Sequence, residues 1–230
     1  MRVHEYGTRE QLAEALAAGV AAVLAGGIAE RGSAVLAVSG GSTPALFLAR
    51  LSEADIAWEN VTVTLIDERI VPPDHERSNF GMVKRTLMQN RAAAATLVPL
   101  VGGEIGAPEV EAREAEDRIA GLGPFDAAIL GMGADGHTAS FFPGGDRLAQ
   151  ALDLGTEDSV IAMKAPGAGE QRLTLTLRRI LDAHFLALHI EGEEKKSVFN
   201  KALGNGPVED MPVRAVLREA DERLELFWAP

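Results

Sequence analysis

The chain has 230 residues, of which 47% are hydrophobic and 24% are charged, a composition ordinary for one sizeable α/β domain. Its net charge of -12 argues against nucleic acid as a partner, because nonspecific binding depends on lysine and arginine neutralising phosphates. The chain has no cysteine for disulfides, no long uninterrupted apolar run and no signal-peptide pattern over residues 1–5, so we expect a cytoplasmic protein without a membrane span.

The first strand-to-helix junction follows the apolar run Ala34–Val38, which comes after a predicted helix over residues 9–31. The junction reads Ser39-Gly-Gly-Ser-Thr-Pro44, in which Thr43 suits a helix N-cap and Pro44 suits the first helical position. Its glycines let a bound group approach the N–H groups of a helix N-terminus, where the helix dipole favours an anion. The turn is therefore a candidate phosphate-binding loop.

A second strand over Val61–Ile66 precedes a proline-containing loop, Asp67–Asn79, and a helix from about residue 80 to 90. Further strands are predicted at 96–101, 126–130, 160–163, 184–190 and 224–228, and further helices at 108–121, 193–203 and 213–219. This alternation predicts one α/β domain over residues 1–230, with a doubly wound, mostly parallel sheet flanked by helices.

The most informative stretch follows the strand at Asp126–Leu130, whose apolar residues lack alternation, as in a strand covered on both faces. It reads Gly131-Met-Gly-Ala-Asp-Gly-His137. Ligands of open α/β sheets bind beyond the carboxyl ends of the strands, so His137 is placed where a substrate would lie. Because an unperturbed imidazole titrates near neutrality, we interpret His137 as a general base rather than as a structural loop histidine.

The glycine spacing in this stretch also matches a dinucleotide-binding fingerprint, which requires a helix that opens at the third glycine. Only six residues separate Gly136 from Pro143, so any helix there spans about a turn and a half and is too short for a crossover helix. We therefore expect no nucleotide cofactor.

The remaining histidines and acidic residues give weaker signals. Asp67, Glu68 and His75 are candidate metal ligands, but three ligands scattered over a proline-containing loop are weak evidence, and we expect no metal. His184 and His189 fall on opposite faces of one predicted strand and are interpreted as structural or surface groups.

With these motifs in place, the chain resembles the glucosamine-6-phosphate isomerase/6-phosphogluconolactonase family over almost its whole length. Five blocks in the family's order carry the resemblance, at residues 39–44, 67–72 with 78–79, 131–143, 172–175 and 192–195. Within the family, the deaminase pattern has Asn-Glu-Pro where this chain has Phe141-Phe142-Pro143, and a phenylalanine cannot carry a proton. The deaminases also usually have an aromatic residue where this chain has Arg69, a cation suited to phosphate. The lactonase branch is therefore preferred.

The resemblance implies hydrolysis of 6-phospho-D-glucono-1,5-lactone to 6-phosphogluconate in the oxidative pentose phosphate pathway, with water activated by His137. Asp135 or Asp67 would orient the imidazole, and backbone N–H groups around Gly133–Gly136 would stabilise the oxyanion. The phosphate would bind the glycine turn and three cations, namely Gly40, Gly41, Ser42, Thr43, Arg69, Arg172 and Lys195. Lys196 is expected to face solvent.

Two alternative functions remain open at this stage. One is deamination or isomerisation of an amino-sugar phosphate, against which Phe142 argues. The other is a noncatalytic sugar-phosphate sensor, which would need an output module such as a basic helix-turn-helix. One α/β domain uses the whole acidic chain, so no room for such a module is expected.

Overall fold

The fold is built around a seven-stranded parallel sheet in the computed structural model, which describes residues 1–230. The strands are β1 Arg2–Glu5, β2 Ala34–Val38, β3 Val61–Leu65, β4 Asp67–Arg69, β5 Thr96–Leu97, β6 Ala127–Leu130, β7 Val160–Met163, β8 Arg172–Leu175, β9 Phe185–Glu191 and β10 Leu224–Ala229. The helices are α1 Arg9–Arg31, α2 Ala45–Leu51, α3 Asn79–Thr86, α4 Pro108–Ile119, α5 Leu148–Leu152, α6 Leu177–Leu181, α7 Glu193–Ala202 and α8 Val213–Ala220.

The order of the strands reverses in the middle of the large sheet, which runs β1-β10-β9-β6-β2-β3-β5. From β2 the chain moves outward through β3 and β5, then returns to β6 on the other side of β2 and moves outward again through β9 and β10. All these pairings are parallel, which confirms the predicted doubly wound sheet. Such a reversal opens a crevice beyond the carboxyl ends of the two central strands.

The register of the central strands places the carboxyl ends of β2 and β6 beside the last part of β9. Val38 of β2 pairs with Ile129 of β6, and Leu130 of β6 pairs with Leu188 of β9. By this register, Gly40 and Gly131, just beyond β2 and β6, lie at the same level as His189 near the end of β9. The glycine turn, the histidine-containing loop and the end of β9 therefore share one edge of the sheet.

A small antiparallel sheet of β4, β8 and β7 lies beside the large one. β4 pairs with β8 so that Arg69 is opposite Arg172 and Asp67 is opposite Thr174. The prediction that residues 67–79 form a loop was therefore wrong for the first three of them. The partner strand lies about a hundred residues away in the chain, and local sequence patterns do not indicate such a pairing.

Helix α1 covers one face of the large sheet with a stripe of residues spaced by four. It begins at the N-cap Thr8, whose side chain accepts from the N–H of Gln11, and it ends at Gly32, which adopts φ 79°. The stripe comprises Leu12, Leu16, Val20 and Leu24, all 0% exposed. By length and hydropathy α1 could cross a membrane, but this stripe packs in the core, where each buried leucine contributes about 1.5–3 kcal/mol.

The prediction of the first junction was wrong by one residue. Helix α2 begins at Ala45 with Pro44 at the N-cap position, and no side chain caps it. Thr43 is therefore not the N-cap. The N–H of Ala45 lies 3.4 Å from the carbonyl of Ser42, so a tight turn over Ser42–Ala45 leads into the helix.

Other local predictions were also wrong at their boundaries. β5 ends at Leu97, not at residue 101, because it pairs only with β3 at the sheet edge. α3 ends at Thr86, and a separate 3-10 helix begins at Asn90, which has φ 49°. No helix forms between Gly136 and Pro143. Sequence analysis did not predict β1, β8, α5 or α6, which are short elements of four or five residues.

Candidate active site

A cleft of about 320 Å³ opens beyond the carboxyl ends of β2 and β6, where the strand order reverses. Its walls come from the glycine turn, the loop after β6, the small sheet and the N-terminal part of α7. The residues that line it are Ser39, Gly40, Gly41, Ser42, Thr43, Pro44, Asp67, Arg69, Arg77, Asn79, Ile129, Leu130, Gly131, Met132, Gly133, His137, Ala139, Phe142, Gly167, Ala168, Arg172, His189 and Lys195. Every predicted site residue except Asp135 is among them.

Asp135 lies directly behind His137. Its Oδ1 atom is 2.5 Å from the Nδ1 atom of His137 and also accepts the backbone N–H of His137 at 3.1 Å. Partial burial acts to raise the pKa of Asp135, but the hydrogen bond and charge of His137 outweigh it, and the pKa is lowered. An ionised carboxylate at Nδ1 favours a proton on that nitrogen and leaves Nε2 free to act as a base.

Asp67 has a different partner. Its Oδ2 atom accepts a hydrogen bond from the hydroxyl of Ser140 at 2.6 Å, and its side chain is buried. The sequence left open whether Asp135 or Asp67 contacts the imidazole, and the structure places Asp135 there. Asp67 instead faces the cleft from the base of the small sheet.

Two neighbours fix the position of the His137 ring. A Cβ atom on Gly133 would lie 2.2 Å from the ring, so this position accepts only glycine while the ring stays where it is. On another side, the ring of Phe142 lies 4.4 Å from the imidazole between centroids. The guanidinium of Arg172 lies 5.4 Å from the same phenyl ring, so Phe142 lies beside both the histidine and a cation.

Two backbone N–H groups of the loop after β6 donate to carbonyls of the same loop. The N–H of Gly133 donates to the carbonyl of His137 at 2.9 Å, and the N–H of Gly136 donates to the carbonyl of Gly133 at 3.1 Å. The prediction that Gly133–Gly136 provide oxyanion donors is therefore wrong for these two glycines. Within that range, the N–H of Ala134 has no backbone acceptor.

The glycine turn presents a set of free backbone donors to the cleft. Four consecutive N–H groups donate to no protein acceptor, those of Gly40, Gly41, Ser42 and Thr43. Gly41 has φ 95°, which glycine adopts readily. A Cβ atom on Gly40 would lie 1.9 Å from the side-chain oxygen of Asn79, whose amide donates to the carbonyl of Asp67 at 2.8 Å. The turn is therefore packed directly against the start of α3.

The two predicted arginines line the cleft from the small sheet. Arg172 is 5% exposed and donates to the carbonyls of Ala168 and Glu170. Burial lowers the pKa of Arg172, while the charge of Asp67 opposes that shift. Arg69 donates through Nη1 to the carbonyl of Arg77, and its Nε–H is buried without an acceptor. Such an orphaned donor on a cleft wall suits an incoming anion.

The two adjacent lysines of α7 have different environments. Lys195 lines the cleft, and burial lowers its pKa against the opposing charges of Glu191 and Glu194. The prediction that Lys196 faces solvent was wrong. Its ammonium lies 2.8 Å from the carboxylate of Glu5 and 3.5 Å from the ring centre of Trp228.

Two ionisable residues of the cleft were not predicted from the sequence. His189 was interpreted as structural or surface, yet it lines the cleft with its Nε2 atom 3.1 Å from Glu191 and its buried Nδ1 atom unpartnered. Its position near the carboxyl end of β9 was the available signal. Arg77 also lines the cleft and pairs with Glu170, but a lone arginine in an exposed loop gives no local signal.

Glu68 does not converge with Asp67 and His75 on a metal-like site. Its carboxylate accepts the backbone N–H groups of Arg69, Asn79 and Phe80 and the hydroxyl of Ser78, at 2.7–3.1 Å. Burial raises the pKa of Glu68, and these backbone donors oppose the shift. The carboxylate therefore holds the N-terminus of α3 in place.

Comparison with known proteins defines the family. Residues 7–228 match the model of the family described as glucosamine-6-phosphate isomerases/6-phosphogluconolactonase. The chain belongs to this family. It is 52% identical to the 6-phosphogluconolactonase of Rhizobium meliloti, over 99% of this chain and 98% of that protein. A 6-phosphogluconolactonase from Shewanella baltica, known from a crystal structure, is 37% identical in sequence. The two structures superpose with a TM-score of 0.96 over 100% of this chain and 98% of that one.

The same fold occurs in a protein of another activity. A monomeric glucosamine-6-phosphate deaminase superposes with a TM-score of 0.79 over 100% of this chain and 97% of that one, at 21% identity. The shared fold does not separate the two activities. In this chain, the aromatic neighbour of His137 is the apolar ring of Phe142.

Proposed function

We propose that this chain hydrolyses 6-phospho-D-glucono-1,5-lactone to 6-phosphogluconate, the hydrolytic step of the oxidative pentose phosphate pathway. The observation that carries the proposal is one cleft containing both a histidine–carboxylate pair and an anion-binding wall. The relatives named 6-phosphogluconolactonase, at up to 52% identity over nearly the full length, support it. A small-molecule substrate and a cytoplasmic location suit an acidic chain without cysteine.

In the proposed mechanism, Nε2 of His137 removes a proton from a water molecule as its oxygen adds to the lactone carbonyl carbon. The negative charge moves to the carbonyl oxygen of a tetrahedral intermediate. Collapse of this intermediate breaks the bond between the carbonyl carbon and the ring oxygen, and the imidazolium returns its proton to that oxygen. Asp135 stabilises the imidazolium through the contact at Nδ1.

The phosphate is assigned to the wall formed by the glycine turn and three cations. The free N–H groups at residues 40–43 offer neutral donors, and Arg69, Arg172 and Lys195 supply positive charge in a chain whose net charge is -12. Local cations are required because the overall field of the protein would repel a dianion. Burial disfavours the charged form of Lys195, and a bound phosphate would favour it.

The cleft argues against the two alternatives. A deaminase needs an additional proton-carrying group, and Phe142 fills the space beside His137 with an apolar ring. A sensor needs neither a base nor a carboxylate to polarise it, whereas Asp135 and His137 form such a pair in the cleft. Lactone hydrolysis uses both the pair and the anion-binding wall.

The direct test follows hydrolysis of the lactone by NMR, with the spontaneous rate subtracted. We expect the wild-type chain to accelerate hydrolysis and His137→Ala to reduce turnover by about 10²-fold or more. His184→Ala is the matched control, because His184 is exposed and lies outside the cleft. Hydrolysis at the spontaneous rate by the wild-type chain would refute the function, and full turnover in His137→Ala would remove His137 from the role of base.

A further inference from the structure

Two loops on one side of the cleft are joined by an ion pair. Arg77 belongs to the loop between β4 and α3, and Glu170 belongs to the loop between β7 and β8. The Nη2 atom of Arg77 lies 3.0 Å from Oε2 of Glu170, with the side chains 46% and 26% exposed. Arg77 lines the same cleft as Arg69 and Arg172.

Glu170 is a carboxylate close to three guanidinium groups. Its pKa is lowered by a hydrogen bond from its own backbone and, against the effect of burial, by the charges of Arg77, Arg172 and Arg69. The carboxylate is therefore ionised at neutral pH. It places a negative charge of the protein at the wall that the phosphate is proposed to use.

The contact between Arg77 and Glu170 is close but poorly directed. Although the two atoms are 3.0 Å apart, Oε2 of Glu170 is buried and accepts no hydrogen bond of acceptable geometry. The backbone around Glu170 is held separately, because Arg172 donates to the carbonyls of Ala168 and Glu170. Arg77 can therefore leave Glu170 without loss of a well-formed hydrogen bond and without movement of the loop.

We propose that Arg77 is a fourth phosphate-binding cation, paired with Glu170 in the free protein and transferred to the substrate phosphate when it binds. This inference rests on the proposed phosphate site. A phosphate dianion offers three acceptor oxygens to a planar guanidinium, whereas Glu170 offers one poorly aligned oxygen. Arg77 has no other side-chain acceptor and its half-exposed side chain has room to turn.

If Arg77 is exchanged in this way, removal of its partner's negative charge should strengthen phosphate binding. Glu170→Gln frees Arg77 and should tighten binding of 6-phosphogluconate and of inorganic phosphate by about two- to fivefold, the range of an exposed ion pair. Arg77→Ala should weaken binding of both by about tenfold. In the Arg77→Ala background, Glu170→Gln should have no further effect, since there is no arginine to release.

The experiment is a double-mutant cycle measured by calorimetric titration at low ionic strength, with circular dichroism to verify the fold of each variant. Glu76→Gln is the matched control, because Glu76 is an exposed acid adjacent to Arg77 with no ion pair of its own. It removes the same charge and should leave binding unchanged. The exchange would be supported by tighter binding in Glu170→Gln, weaker binding in Arg77→Ala and no further effect of Glu170→Gln in the double variant. Binding by Glu76→Gln should equal that of the wild-type chain.

Three results would overturn it. The first is tightening by Glu170→Gln that persists in the Arg77→Ala background, which would indicate long-range repulsion instead. The second is weaker or unchanged binding in Glu170→Gln. The third is unchanged binding in Arg77→Ala. Failure of the proposed function is distinguishable, because it would appear as a wild-type chain that does not hydrolyse the lactone, while the cycle with inorganic phosphate still reports on Arg77.

Discussion

Replacement of Asp135 by asparagine tests how the base is activated. The carboxylate is expected to stabilise the imidazolium that forms when His137 takes the proton of water, and asparagine removes the charge with little change in shape. Because the hydrogen bond and charge of His137 lower the pKa of Asp135 in spite of partial burial, the carboxylate is ionised throughout the neutral range. The pair is lost only when acid carries the pH down through this lowered pKa, so the variant removes a full charge near pH 7.

The size of the effect follows from the exposure of the pair. Opposite charges about 4 Å apart attract by about 1 kcal/mol in water and about 4 kcal/mol near a protein surface. The side chains of His137 and Asp135 are 31% and 50% exposed, so solvent screening favours the lower end of this range. A loss of about 1–2 kcal/mol at the transition state corresponds to about a 5- to 30-fold fall in kcat. His137→Ala should cost more, about 10²–10⁴-fold.

The assay compares kcat for the two single variants and the double variant, each above the spontaneous rate of lactone hydrolysis. Because Asp135 acts through His137, the double variant should be no slower than His137→Ala alone. Unchanged kcat in Asp135→Asn, or additive losses in the double variant, would refute this reasoning.

Three further predictions follow from the cleft. Lys195→Met should weaken 6-phosphogluconate binding about ten- to hundredfold and gluconate binding far less; equal losses in a titration would refute the phosphate assignment. Since burial lowers the pKa of Lys195, wild-type binding in alkaline buffer should take up protons, seen as a buffer-dependent calorimetric heat that Lys195→Met lacks. Gly133→Ala should reduce kcat by about 10²-fold at little cost in Tm, because its Cβ displaces the ring of His137; normal turnover would show that the ring has another position. No ammonia should be released from glucosamine 6-phosphate by the wild-type chain or by Phe142→Glu, and an ammonia assay showing a rate comparable to lactone hydrolysis would contradict the role given to Phe142.

The parts of the site that the sequence predicted lie at strand ends. The apolar runs before Gly40 and Gly131 indicate buried strands, and the glycines that follow indicate a turn where a ligand can approach. The parallel sheet then places both turns at one edge. For this reason the glycine turn and the loop bearing His137 were predicted with their residues, and the doubly wound fold was confirmed by the structure.

The parts that the sequence did not predict depend on contacts distant in the chain. Pairing of β4 with β8 brings Arg69 opposite Arg172, and no local pattern in either segment indicates it. His189 is also an example, because an apolar strand with one histidine looks the same whether that residue faces the core or a cleft. The sequence also did not show that Asp135, rather than Asp67, is the partner of His137. Asp67 instead accepts a hydrogen bond from Ser140, a residue 73 positions away in the chain.

Gly40, Gly131 and His189 lie at one level near the carboxyl ends of three hydrogen-bonded strands, and this alignment limits how the protein tolerates change in length. One residue inserted in β2, β6 or β9 would turn every later side chain of that strand to the opposite face and move its end by about 3.3 Å. Insertions or deletions should therefore survive only beyond the strand ends. New substrate preferences in this scaffold are then expected to arise by exchange of whole loops, such as the one that carries Glu170, rather than by shifts within the sheet.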